Sequence, residues 1–170
     1  NSLVCTYTSV HDLAPLRGMP LEVCRIVGNR IADLSPLAAS PLRILECTEN
    51  AINSLEPLRG LRLTEFYGPR NQVAELSPLR GMPLTRLACA GNPIRNVAPL
   101  AGMPLTNLDI SDTEVADVSP LAASPLRALN CSRCPVEDLS PLRELPLQSL
   151  RSEQSQIGRA SCRERVYHPV

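Results

Sequence analysis

Leucine recurs along this chain at a fixed interval: Leu21, Leu42, Leu63, Leu84, Leu105, Leu126 and Leu147 stand 21 residues apart. If each is position 0 of a unit, the places that follow are nearly as regular. Position 15 is proline in seven copies, from Pro15 to Pro141, and position 16 is leucine from Leu16 to Leu142. Position 10 is Val or Ile from Val10 to Ile157. No insertion or deletion disturbs this spacing between Leu3 and Ile157. Such regularity marks a solenoid, in which each unit buries its apolar face on neighbours of the same kind.

Within one unit, LTNLDISDTEV at 105–115, apolar residues fall at positions 0, 3, 5 and 10. The alternation predicts a short strand centred on positions 3–5, with positions 2, 4 and 6 on its other face. A turn signal follows, such as AGN at 90–92. Positions 12–20 then read DVSPLAASP in one copy and ELSPLRGMP in another. Ser or Ala before Pro suits a helix N-cap with Pro at the first helical position. Proline at position 20 stops continuation in most copies, so about one turn of 3₁₀ or irregular structure fits there. The expectation is one parallel sheet of about seven or eight strands, with positions 0, 3, 5, 10, 13 and 16 inward. Residue 129 should be buried and Asn130 exposed.

These residues resemble the leucine-rich repeat family, whose pattern L-x-x-L-x-L-x-x-N-x-L is matched by LTRLACAGNPI at 84–94. The D-L-S-P-L extension resembles the short bacterial class typified by internalins. It resembles still more the arrays carried by large multidomain bacterial proteins, some with kinase domains. The resemblance implies a leucine-rich repeat solenoid, with a parallel β-sheet on the concave face and 3₁₀ or irregular turns on the convex face. It also implies that Asn29, Asn50, Asn71 and Asn92, all at position 8, bond to the backbone of neighbouring loops as a ladder. The 21-residue unit, slightly shorter than the internalin unit, argues for a spare convex side.

Composition agrees with a stacked aliphatic core. Hydrophobic residues are 44% of the chain but aromatics only 2%, with no Trp and one Phe, Phe66. Every basic residue is Arg, and the net charge is zero with no basic stripe. Nucleic-acid binding driven by phosphate contacts is therefore not expected. No apolar run approaches the roughly 20 residues of a membrane helix. The chain opens at Asn1 with neither Met nor signal peptide, and the reading is a fragment of a larger bacterial protein, truncated at both ends.

CSRC at 131–134 has the spacing of a redox pair or half a zinc site, but the repeat frame gives it another meaning. Cys131 is at position 5, as are Cys5, Cys47 and Cys89, while Ile26 and Ile110 hold that position in two intervening units. Cys134 is at position 8, the place of the asparagines. The motif therefore reads as one small core residue plus one degenerate ladder residue. No second Cys or His pair lies at zinc spacing. Strands two units apart are roughly 9–10 Å apart, beyond disulfide reach. Unpaired thiols lean towards a reducing, cytoplasmic compartment, with export left open.

After Ile157 the pattern stops. IGRASCRERV at 157–166 resembles the in-frame translation of a sequencing adapter. The domain reading is an array over 1–157, of about seven to eight units, and a non-repeat tail over 158–170 read as a sequencing artefact that packs poorly. Cys162 and His168 accordingly receive no role. Residues 1–156 carry 14 Arg against 16 acids.

No catalytic constellation stands out, no cofactor is expected, and the chain reads as not an enzyme. His11 falls on an exposed turn, and the acids at position 12 (Asp12, Asp33, Glu75, Asp117, Asp138) recur once per unit as turn-formers. They lack the density and glycines of a calcium-binding repeat, so no metal is expected. The function expected is recognition of an unidentified protein through the concave face. The rivals are a passive spacer and the regulatory arm of a kinase-type enzyme. Position 4 puts Arg25, Glu46 and Tyr67 in one row that continues to Asp109, and position 2 sets Glu65 beside Arg86. These six are the candidate partner-binding residues, centred on the strands of Glu46, Tyr67 and Arg86, because Tyr and Arg often dominate binding energy.

Overall fold

Residues 1–155 are described by the structure, a computed structural model. The readings of Ile157 as a core position and of 158–170 as an artefactual tail lie outside the described residues. Eight three-residue strands form one sheet in chain order: β1 (Ser2–Val4), β2 (Val23–Arg25), β3 (Ile44–Glu46), β4 (Glu65–Tyr67), β5 (Arg86–Ala88), β6 (Asn107–Asp109), β7 (Ala128–Asn130) and β8 (Ser149–Arg151). Every neighbouring pair is parallel and in register at 21 residues, as in Leu45↔Phe66 and Leu87↔Leu108. Opposite them lies a row of short 3₁₀ turns, from Ala14–Leu16 to Ser140–Leu142. The chain is a leucine-rich repeat solenoid with its sheet on the concave side.

The strands occupy positions 2–4, one residue earlier than the alternation predicts. Hydrogen bonding accounts for the shift. The position-5 N–H still joins the ladder, as where Cys47 donates to Tyr67 O at 2.7 Å. The position-5 carbonyl does not: Cys47 O accepts instead from the side-chain amides of Asn50 at 3.0 Å and Asn71 at 2.9 Å. Position 6 also departs from expectation, since Val27, Ser111 and Ser132 are buried rather than open on the sheet face. The backbone swings away here, and position 7 is left-handed in all eight copies, with φ between 52° and 66° from Tyr7 to Gln154. Only Gly28 and Gly91 are glycines in that series, and a side chain in this region costs roughly 1–2 kcal/mol. The cross-unit ion pairs Glu49–Arg70 and Asp112–Arg133 join such residues.

The core is one continuous cluster of Leu, Ile, Val, Cys and Met that includes Leu42, Leu45, Ile52, Leu55 and Leu58. Positions 0, 3, 10, 13 and 16 point inward through the middle units, and Leu129 is buried. Asn130 is half-buried rather than exposed, because Asp109 and Arg151 stand beside it in the same row on adjacent strands. The single ring of the core, Phe66, takes the position held by leucine in most units, and the residue two places on is Gly68, where the other inner units carry Cys or Ile. A Cβ on Gly68 would come within 2.7 Å of Phe66 Cζ. The glycine makes room for the ring.

On the convex side the caps differ from the sequence reading. Position 14 lies inside each 3₁₀ turn and makes no capping bond. Position 12 supplies the cap: Asp33, Asp117 and Asp138 each accept the N–H two residues on, at 2.7–2.8 Å, and Asn96 does the same for Ala98. A side-chain oxygen that reaches its own backbone two residues ahead is the Asx-turn preference of Asp and Asn. These bonds hold the Asp33 and Asp117 carboxyls below their ordinary value, the Ser35 and Ser119 side chains first and their backbone N–H groups second. For Asp138 the Ser140 backbone leads.

Concave face as candidate partner-binding site

Successive residues of a strand alternate faces, so positions 2 and 4 project from the concave side while position 3 enters the core. The floor is held level by an asparagine ladder behind it. Asn50 Nδ2 donates to Ile26 O at 2.7 Å and to Cys47 O at 3.0 Å, while its Oδ1 accepts the Ile31 N–H at 3.0 Å. Asn71 and Asn92 repeat the arrangement one and two units on, and Asn29 does so with Cys5, Val27 and Val10. Each amide thus ties two consecutive units. Beyond Asn92 the rung weakens: Thr113 donates to Ile110 O and lies 3.4 Å from Cys134 Sγ, Cys134 Sγ lies 2.9 Å from the same carbonyl, and the Ile94 N–H turns to its own Asn92 O. Along the sheet's leading edge Thr64, Thr85 and Thr106 each donate a hydroxyl to the preceding unit's position-1 carbonyl, at 3.0–3.2 Å.

Of the six candidate residues, five make contacts among themselves, as one pair and one trio. Arg25 Nε lies 3.3 Å from Glu46, the Tyr67 hydroxyl donates to Glu65 at 2.7 Å, and Arg86 Nη1 is 3.9 Å from Glu65. Burial raises the Tyr67 phenol above its ordinary value of 10, and the Glu65 hydrogen bond adds to this while Arg86 opposes it. The phenol is therefore a neutral donor at physiological pH. The sixth residue, Asp109, stands apart, its Oδ1 accepting the N–H and hydroxyl of Ser111 at 2.9 and 2.7 Å.

Tyr67 divides the face into two hollows. The smaller, about 260 Å³, lies over Arg25, Ile44, Glu46 and Glu65. The larger, about 370 Å³, runs from Tyr67 across Ala88, Asp109 and Asn130 to Arg151. The sequence reading centred on Tyr67 and its charged neighbours, and it passed over the hollow beyond. The signal for that hollow was present: positions 2 and 4 shrink to Ala88, Ala128 and Ser149 while position 3 remains Leu. Small residues set in a full-height row leave space.

The thiols take no part in this face. All six cysteines among the described residues are unpaired, and Cys24, Cys47, Cys89, Cys131 and Cys134 are buried. Burial first pushes Cys24 up to about 11 and Cys131 up to about 12, with neighbouring thiols adding to both. Among the described residues no group of three or more His, Cys, Asp or Glu could hold a metal ion, and no helix is long and apolar enough to cross a membrane.

Neither a protein-family model nor a curated protein matches the sequence. Solved structures do. Internalin C2 from Listeria monocytogenes is 29% identical with a TM-score of 0.80, over 88% of this chain and 69% of that one. The internalin inlF from the same organism is 23% identical with a TM-score of 0.64, over 92% of this chain and 62% of that one. A leucine-rich repeat protein of Leptospira interrogans shares the fold at 17% identity and a TM-score of 0.71, over 89% of this chain and 48% of its own length.

Proposed function

Because the chain is an internalin-like leucine-rich repeat array, we propose that it is a protein-recognition module within a longer bacterial protein, binding rather than catalysing, and that it reads its partner through the concave sheet. The observation that carries this is the row Tyr67–Ala88–Asp109–Asn130–Arg151, in register on five adjacent strands and lining one hollow of about 370 Å³. A spacer needs no such differentiation of one face. Here the ring, the charges and the hydrogen-bonding groups gather where the sheet is open, on strands paired in one continuous parallel register. Binding groups fixed on strands lose little freedom when a partner arrives.

The test is capture of a partner from the source organism's lysate by the intact chain and by Tyr67→Ala/Arg86→Ala. The double variant should lose the partner while its far-ultraviolet circular dichroism stays unchanged. Retention of every partner by that variant would remove this face from the account.

A further inference from the structure

We propose that the larger hollow is a seat for a basic side chain, arginine or lysine, presented by an extended segment of the partner polypeptide. The inference rests on the recognition reading above and gives the partner its chemistry.

Charge complementarity carries it. In the position-4 row the first acid, Glu46, is paired with Arg25 on the strand before it. At position 2, Glu65 lies within reach of Arg86 on the next strand. Asp109 has Ala88 before it and Asn130 after it in the row, and among the described residues no arginine lies within ion-pair distance of it. Both of its hydrogen bonds fall on Oδ1, so Oδ2 has no protein donor among the described residues. It is half-buried on the floor of the hollow, where a charge is less screened than on an open surface.

The geometry around Asp109 selects the cation. Ala88 separates it from Tyr67 in the same row, and neighbouring strands are about 4.8 Å apart, so ring and carboxylate stand roughly 10 Å from each other across a gap floored by a methyl group. That gap fits an aliphatic stem lying over Ala88 beside the Tyr67 ring, with its charged head against Asp109. The Tyr67 hydroxyl is tied to Glu65, which fixes the ring. The hollow reaches from β4 to β8, about 19 Å at the same strand spacing, which an extended segment of about six residues spans. Arg151 closes the far end, two strands beyond Asp109, so an acidic residue about three places from the basic one would complete the match.

The test uses a library of random peptides displayed on phage, selected on the immobilised full chain and re-measured on three variants. Asp109→Asn removes the counter-charge and keeps the Ser111 bonds. Ala88→Arg places an internal guanidinium where the Arg25–Glu46 pair already shows that one fits. Ala128→Phe fills the hollow without changing charge. The expected result is enrichment of peptides with one fixed Arg or Lys, whose affinity falls about tenfold or more with Asp109→Asn and also with Ala88→Arg. Peptides that need no basic residue, or that keep their affinity with Asp109→Asn while losing it with Ala128→Phe, overturn the basic-seat inference and leave concave recognition standing. Failure to select any peptide, or binding indifferent to all three variants, overturns both.

Discussion

Exchanging Phe66 and Gly68 for the residues of the neighbouring unit tests the packing account at one spot. Phe66 is 1% exposed, and a methyl group at residue 68 would sit 2.7 Å from its Cζ and 2.8 Å from its Cε1. Carbon atoms rest about 3.5–4.0 Å apart, so the overlap is close to 1 Å, and the enclosed ring has nowhere to turn. Gly68→Cys, whose Cβ takes that place, should therefore destabilise by about 1–3 kcal/mol, the range for overpacking. Phe66→Leu alone leaves ring-shaped space beside a glycine and should cost about 1–2 kcal/mol. The pair Phe66→Leu/Gly68→Cys recreates Leu87–Cys89 of the next unit, in which both side chains are buried without conflict. It should return to within about 0.5 kcal/mol of the parent, a coupling of at least about 1.5 kcal/mol between the two sites. Urea titration followed by circular dichroism reads this directly, since a change of 2 kcal/mol moves the midpoint by about 1 M. A double variant whose loss equals the sum of the single losses would refute the claim that the glycine exists to admit the ring.

Thr113→Asn should restore the rung missing after Asn92, since the asparagine amide would reach the Cys89 and Ile110 carbonyls and accept the Ile94 N–H. A gain of about 1 kcal/mol, read as a rise of roughly 2–4 °C in Tm with slower exchange of the Ile94 amide, is expected. Asp33, Asp117 and Asp138 have carboxyls held below the ordinary 3.8 in the folded chain, so the stability they contribute is present above that value and is lost as pH falls through the lowered folded value. Asp→Asn at all three should keep the caps, as Asn96 does, and flatten the loss of urea midpoint from about pH 4 downward; an unchanged pH profile would contradict the assignment. In a thiol-reagent titration of the native chain at pH 8, half-exposed Cys5 should react before Cys47, Cys89, Cys131 and Cys134, which should react only on unfolding. Rapid native modification of Cys131 and Cys134 would revive a redox role for CSRC.

The repeat frame was legible because the core of a solenoid depends only on spacing. Leu42, Ile52, Leu55 and Leu58 had to face one interior once the 21-residue period was recognised, and they do. What escaped the pattern was set by hydrogen bonds, which have no hydrophobic period. The strands end at position 4 because Asn50 and Asn71 claim the Cys47 carbonyl, and the 3₁₀ caps come from position 12 because Asp33 and Asp117 reach back to their own backbone. The Phe66–Gly68 exchange is visible as two departures from the pattern, but its meaning needs the 2.7 Å approach. The same holds for the candidate site. Tyr67 and its charged neighbours stood out as residue types, whereas the hollow beyond them is made of Ala88, Ala128 and Ser149, which draw attention only by what they leave empty.

The claim that the concave sheet binds the partner is tested most directly by blocking one face at a time. The affinity of the captured partner would be measured for the intact chain, for Ala128→Trp in the floor of the larger hollow, and for Arg80→Trp on the exposed convex side. Concave recognition predicts that Ala128→Trp weakens binding about tenfold or more, some 1.4 kcal/mol, while Arg80→Trp leaves it unchanged. Loss of affinity with Arg80→Trp and none with Ala128→Trp would place the interface on the other side of the solenoid and contradict the account.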